Sequence, residues 1–236
     1  MDGKTTIVVT GASAGIGKAT ATLLLGQGYQ VLGIARDFSQ CNVDSNGFTA
    51  VEIDLSRLDE LPARLEALTR SHSPINGLIC CAGTGRFGSL EEFSCDQIRE
   101  LIDLNLTSQI YMVRSLLPAM KRRGTGTIIL MGSEAALVGG KRGAVYSAAK
   151  FGLRGLAQSL RQECAASGVR VSIINPGMVR TGFFDGLDFR PGDEEDNYIL
   201  PEDVAAVALE ILETRSGTVI DEINLSPQKK VIHFKK

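Results

Sequence analysis

No apolar stretch of this 236-residue chain approaches membrane-crossing length, which excludes a helix that spans a bilayer. Nor is there an excess of charge: 25 Lys and Arg stand against 27 Asp and Glu, and a net charge of −2 lacks the basic footprint that nucleic acid demands. A charged and then apolar leader is missing too, because Met1-Asp2-Gly3-Lys4 runs straight into Ile7-Val8-Val9, and the expectation is a soluble cytoplasmic protein. The five cysteines, Cys41, Cys80, Cys81, Cys95 and Cys164, show neither zinc-site CxxC spacing nor the even count of a secreted disulfide framework. They are read as reduced, mostly buried thiols; a redox or metal role for the adjacent Cys80-Cys81 pair is the alternative, and no metal is assigned. Internal repeats, low-complexity tracts and interdomain linkers are absent as well.

What remains is an ordinary globular composition, 44% hydrophobic and 22% charged, sufficient for one domain over residues 1–236. Short apolar runs at 6–10, 30–35, 49–53, 77–81, 127–131, 169–174 and 218–225 alternate with helical patterns at 16–27, 58–71, 96–123, 144–167 and 201–214. That βαβα order predicts an α/β fold, a doubly wound parallel sheet covered on both faces. Continuous apolar strands such as Val171-Ser172-Ile173-Ile174 fit burial on both sides. The long irregular stretch at 181–199 is expected to form a lid or binding loop.

Two motifs carry most of the chemistry. Thr10-Gly11-Ala12-Ser13-Ala14-Gly15-Ile16-Gly17 follows a strand and opens a helix, where Gly11 permits a tight exit, Gly15 lets backbone approach a phosphate and Gly17 allows close helix–strand packing. Helix amides and the positive end of the dipole then face the anion. Its spacing, GxxxGxG, differs from the generic GxGxxG fingerprint. Farther on, Tyr146-Ser147-Ala148-Ala149-Lys150 sets a lysine one helical turn from a tyrosine.

With Asp54-Leu55, Cys81-Ala82-Gly83, Asn105, Ser133, Asn175-Pro176-Gly177 and Thr181 in the same order, the chain resembles the short-chain dehydrogenase/reductase family over nearly its full length. The resemblance implies a Rossmann-type domain in which Asn105, Ser133, Tyr146 and Lys150 form a catalytic tetrad. A free tyrosine titrates near pH 10, and a neighbouring cation favours the phenolate, which makes Tyr146 the general acid in reduction and base in oxidation. Ser133 would bond the substrate oxygen, Lys150 the nicotinamide ribose, and Asn105 a water that joins the lysine to a proton relay. The resemblance also assigns cofactor contacts to Gly11, Ser13, Gly15, Ile16, Gly17, Asp54, Leu55, Ala82, Gly83, Pro176, Gly177, Val179 and Thr181. Cys81 stands where the family usually has asparagine, and loss of that residue should cost local order more than chemistry.

Cofactor choice turns on Ala35-Arg36-Asp37 at the end of the second strand. Ala35 takes the place of the acid that binds both ribose hydroxyls of NAD, and Arg36 can meet the 2′-phosphate of NADP. NADP(H) is therefore preferred and NAD(H) possible, since Asp37, about twenty residues past Gly17, would reverse the preference after a one-residue shift. Substrate contacts are expected from Ser133, Glu134, Tyr146, Phe183 and Phe184, with Thr84, Arg86, Arg142, Leu187 and Tyr198 as further candidates. Lys141-Arg142 could attract a carboxylate, and the acidic run 193–196 argues the opposite. The basic tail 226–236, His233 included, reads as surface. The whole predicts an NADP(H)-dependent oxidoreductase that interconverts a small-molecule carbonyl and a secondary alcohol, as a homodimer or homotetramer. The rivals are an NAD-dependent alcohol or hydroxy-acid dehydrogenase and a non-catalytic NADP(H) sensor or scaffold.

Overall fold

The computed structural model describes residues 5–43, 46–72 and 74–235; the opening Met1-Asp2-Gly3-Lys4 and the terminal Lys236 lie outside them. Ile7, Val8 and Val9 form the middle of β1 (Thr6–Thr10) and are buried, because helices cover the strand on both sides. β1 pairs in parallel with β2 (Gln30–Ala35) on one side and with β4 (Gly77–Cys80) on the other. β3 (Phe48–Glu52) lies beyond β2, while β5 (Gly126–Met131), β6 (Val169–Pro176) and β8 (Glu222–Leu225) follow β4. The result is a seven-stranded parallel sheet in the order β3-β2-β1-β4-β5-β6-β8, the doubly wound architecture in one domain. Since the chain runs outward from β1 to β3 and then restarts on the opposite side at β4, a crevice opens at the carboxyl ends of β1 and β4.

On one face α1 (Gly15–Gly26) and α6 (Pro201–Glu213) bury Ala21, Leu24, Val204, Ala208 and Ile211. On the other, α2 (Leu61–Ser71), α4 (Ser108–Arg123) and α5 (Ala144–Cys164) bury Leu65, Met112, Leu116, Leu153 and Leu160. Each of the larger side chains among these, Leu, Ile, Val or Met, contributes about 1.5–3 kcal/mol. No helix among the described residues is long and apolar enough to cross a membrane.

Three departures from the sequence expectation bear on the site. The helix expected over 96–123 is split into α3 (Cys95–Ile102) and α4 by a π-helical turn at Asp103–Thr107, which holds Asn105. Such turns put one extra residue into the helix and often sit at functional sites. The stretch 181–199 is not irregular throughout: it contains 3-10 turns at Gly182–Phe184 and Glu195–Asn197 and the short strand β7 (Phe189–Pro191). The tail, read as plain surface, forms β9 (Ile232–Phe234), antiparallel to β7, with Phe189 opposite Phe234.

Candidate active site

The crevice is a cavity of about 1110 Å³. One end is the turn from β1 into α1. Gly11 and Gly15 hold φ of +67° and +51°, and a Cβ on Gly17 would fall within 3.0 Å of the Gly11 carbonyl, so this turn closes only with glycine. Ala14 begins α1 without a side-chain acceptor, and no acid stands in the first turn. The first amides of α1, at Gly15, Ile16 and Gly17 on the cavity wall, thus meet no capping side chain, a cradle that fits a pyrophosphate. Thr181 closes over the turn, its Cγ2 placed 3.2 Å from where a Gly15 Cβ would be; Pro176, Gly177 and Val179 line the same side.

At the far end of β2, Ala35 and Arg36 line the cavity along with Asp54 and Leu55. Both carboxylate oxygens of Asp37 are occupied, accepting from the Ser39 amide at 2.7 Å and the Ser39 hydroxyl at 2.8 Å, and these bonds hold the acid below its usual range. Asp37 lines a separate small hollow with Ser13, Ala14 and Arg36. Burial works to raise the Asp54 carboxyl, but the Ser56 hydroxyl and amide, at 2.7 and 3.0 Å, with Arg36 and Arg57, outweigh it and lower the pKa.

The chemistry-bearing groups gather at the other end. Ser133 follows β5 and caps the 3-10 turn Glu134–Ala136, its Oγ accepting from the Ala135 amide at 3.2 Å. Tyr146 and Lys150, 7% and 5% exposed, project from α5 into the same space, with Lys150 Nζ 5.7 Å from the phenol ring centroid. Lys150 donates to the Met131 carbonyl at 2.9 Å. Asn105 is buried; its amide donates to the Thr84 and Leu101 carbonyls at 3.0 and 2.9 Å, and its Oδ1 accepts from the Thr84 amide at 3.1 Å.

The expected tilt toward phenolate is not what the protein frame imposes. Burial pushes Tyr146 up to about 12, Glu134 adds to the rise, and the Ser133 hydroxyl opposes it. Burial also pulls Lys150 down to about 8, against the opposing influence of Cys81 and Cys80. The frame thus holds Tyr146 protonated near neutrality, the form a proton donor needs. Burial likewise raises both neighbouring thiols, Cys81 to about 12, which leaves them un-ionised.

Of the candidate substrate contacts, Thr84, Glu134, Arg142, Phe183 and Phe184 line the cavity. Arg86, Leu187 and Tyr198 do not: Arg86 pairs with Glu100 at 3.9 Å, and the Tyr198 hydroxyl accepts from Arg180 at 2.7 Å. Residues 5–188 match the family model described as short chain dehydrogenase. The chain belongs to this family. An uncharacterized oxidoreductase of Staphylococcus saprophyticus is 30% identical over 228 residues, spanning 93% of this chain and 96% of the relative. The 3-oxoacyl-(acyl-carrier-protein) reductase of Buchnera aphidicola is 33% identical over 188 residues, 78% of this chain and 77% of the relative. Among solved structures, the closed form of serine dehydrogenase complexed with NADP+ superposes with a TM-score of 0.83 at 27% identity, over 93% of this chain and 94% of that one. A metagenomic short-chain oxidoreductase in complex with NADP gives 0.80 at 29% identity, over 96% and 98%.

This short-chain dehydrogenase keeps its β4 turn in order with Cys81 where the resemblance leads us to expect asparagine. Thr10 Oγ1 accepts from the Ala82 amide at 3.0 Å, Gln109 donates to the Ala82 carbonyl at 3.1 Å, and Asn105 clamps Thr84. Sequence reasoning gave Thr10 no contact of its own and passed over Gln109; their partners lie 72 and 27 residues away. It also passed over Phe87, Phe189, Lys230, Ile232 and Phe234, all of which line the cavity. The run Val231-Ile232-His233-Phe234 did carry a signal, since β-branched and aromatic residues favour a strand.

Proposed function

We propose that this oxidoreductase uses NADP(H) to interconvert a carbonyl compound and a secondary alcohol, with Tyr146 as acid in reduction and base in oxidation. The reading is carried by one observation: Ser133, Tyr146 and Lys150 share a single cavity with the glycine turn. The cofactor, when bound, supplies the hydride, and its oxidised ring supplies the positive charge that draws Tyr146 toward the phenolate. Gly11, Ser13, Gly15, Ile16 and Gly17 hold the pyrophosphate; Asp54, Leu55, Ala82 and Gly83 hold the adenosine; Pro176, Gly177, Val179 and Thr181 hold the carboxamide. Ser133 bonds the substrate oxygen, Lys150 the ribose, and Asn105 keeps the β4 turn beside them and holds the relay water. Residues 181–199 act as the lid. Five unpaired cysteines fit a reducing cytoplasm, and exposed Ile110 and Phe151 on α4 and α5 fit a homo-oligomer.

The preference for NADP(H) over NAD(H) rests on Arg36 at the cavity wall and on the occupation of Asp37 by Ser39, and NADP-bound relatives support it. Arg36→Ala is expected to weaken NADPH binding about 30-fold and NADH binding less than twofold, as measured by fluorescence titration, since a charge-assisted contact contributes about 1.5–3 kcal/mol. Equal loss for both cofactors would remove Arg36 from the phosphate site and return the NAD-dependent reading.

A pH dependence follows from Lys150. With its pKa lowered to about 8, the lysine is charged below that value and neutral above it. Loss of the cation leaves the phenol a weaker acid, so kcat/KM for reduction should fall with unit slope above pH about 8. Lys150→Arg, which keeps the charge, should flatten that limb. A wild-type profile level to pH about 10 would disconnect Lys150 from proton transfer.

A further inference from the structure

We propose that the carbonyl substrate is an uncharged aryl aldehyde or ketone, seated against a row of aromatic rings whose outer wall is the C-terminal strand β9. This rests on the reductase reading above and adds the substrate class.

Five of the nine phenylalanines line the cavity, and they form an unbroken path from the catalytic phenol to the mouth. Phe87 lies 5.1 Å from Tyr146 between ring centroids, Phe189 5.0 Å from Phe87, and Phe234 6.5 Å from Phe189. A second branch runs from Tyr146 to Phe183 at 6.1 Å and on to Phe184 at 5.2 Å. Gly85 makes room for that branch, because a Cβ there would fall within 3.0 Å of the Phe183 ring. Edge-to-face and tilted rings at these separations are the surroundings an aryl group prefers. At the mouth, Val138 and Phe234 are 74% and 72% exposed, large apolar side chains that a flat apolar ligand would cover.

Most charges around this end are already matched within the protein. Lys230 pairs with Glu134 at 2.8 Å, and Arg142 pairs with Asp188 at 3.2 Å and Glu92 at 3.9 Å. Within the acidic run of the lid, Asp196 pairs with Lys229 at 2.6 Å and Asp193 with Arg190. Lys141 alone among the cationic side chains of this rim is exposed without an acidic partner among the described residues. A charged substrate competes with existing pairs; an uncharged one does not.

The tail is a fixed wall. Lys235 donates from Nζ to the Phe184 and Asp185 carbonyls at 2.7 and 3.0 Å and from its amide to the Asp188 carbonyl at 2.7 Å. The Gly192 amide donates to the Val231 carbonyl at 3.0 Å, and the Lys229 amide to the Asp196 carbonyl at 2.7 Å. These bonds tie the tail to the lid, with Ile232 and Phe234 on the cavity rim.

Methyl 2-naphthoate and 2-naphthoate share one ring system, differ by a charge and undergo no reduction, so calorimetric titration of each into the protein–NADP+ complex reads the site without turnover. The ester is expected to bind at least tenfold more tightly than the acid. Phe234→Ala should weaken the ester about tenfold with NADP+ affinity unchanged, and Phe234→Tyr should retain it; exposure of this ring keeps the fold out of the result. Equal or tighter binding of the acid, binding of neither probe, or indifference to Phe234→Ala would each overturn the proposal, the first assigning Lys141 as a carboxylate anchor. NADPH-dependent reduction of 2-acetonaphthone is measured alongside. No turnover with the ester preference and its Phe234 dependence intact would count against the reductase reading and leave the aryl site standing.

Discussion

Tyr146→Phe is expected to lower kcat for carbonyl reduction by about 10³-fold while NADPH affinity stays within twofold of wild type. The substitution removes a single oxygen. The ring that remains keeps its packing on Phe87 at 5.1 Å and Phe183 at 6.1 Å, so the cavity retains its shape. What disappears is the phenol hydroxyl that the frame holds protonated beside Ser133, at a pKa pushed up to about 12 by burial. Ser133 cannot take over, because an alcohol titrates far above a phenol. Steady-state rates with coupled NADPH titrations check this, and a variant that keeps more than a tenth of wild-type kcat would take the proton donor away from Tyr146.

Gly17→Ala should be nearly as damaging, for a reason of shape instead of chemistry. The added methyl meets the carbonyl oxygen and carbon of Gly11, backbone atoms that have no rotamer to escape into. Either α1 moves off β1 or the turn opens, and both disturb the amides at Gly15, Ile16 and Gly17. Overpacking of this kind costs about 3 kcal/mol, which for a domain of this size lowers Tm by about 6–12 °C. NADPH affinity is expected to fall at least tenfold. Melting curves and cofactor titration give both numbers, and an unchanged NADPH Kd would mean that the turn does not hold the pyrophosphate.

Local sequence signals located what local physics controls. The β1 and β2 runs end at the residues expected, β1 before the positive-φ Gly11 and β2 before the charged Arg36, where the apolar run stops. The glycine turn and the Tyr146–Lys150 pair, which share one cavity in the fold, were legible because each is defined by spacing within about one turn. Asn105 was visible as a motif residue but its π-helical turn was not, because one extra residue leaves a helical pattern almost intact over the neighbouring turns. The tail is exposed as the sequence suggested, but its strand and its partners were not legible. Lys230 finds Glu134 96 residues earlier, and Lys235 finds carbonyls 50 and 51 residues earlier, contacts that only the folded chain creates. The same holds for Phe189 and Phe234, which meet across a two-stranded ribbon no single window contains.

The most direct test of the central claim follows the hydride itself. The wild-type protein is given NADPH deuterated at both C4 positions with 2-acetonaphthone, and the alcohol is analysed by mass spectrometry. Hydride transfer in this cavity predicts one deuterium per product molecule, on the carbinol carbon, matched mole for mole to NADPH consumed. Consumption of NADPH without deuterium in the alcohol, or tight NADPH binding with no alcohol from any carbonyl offered, would contradict the account, the latter in favour of a cofactor sensor.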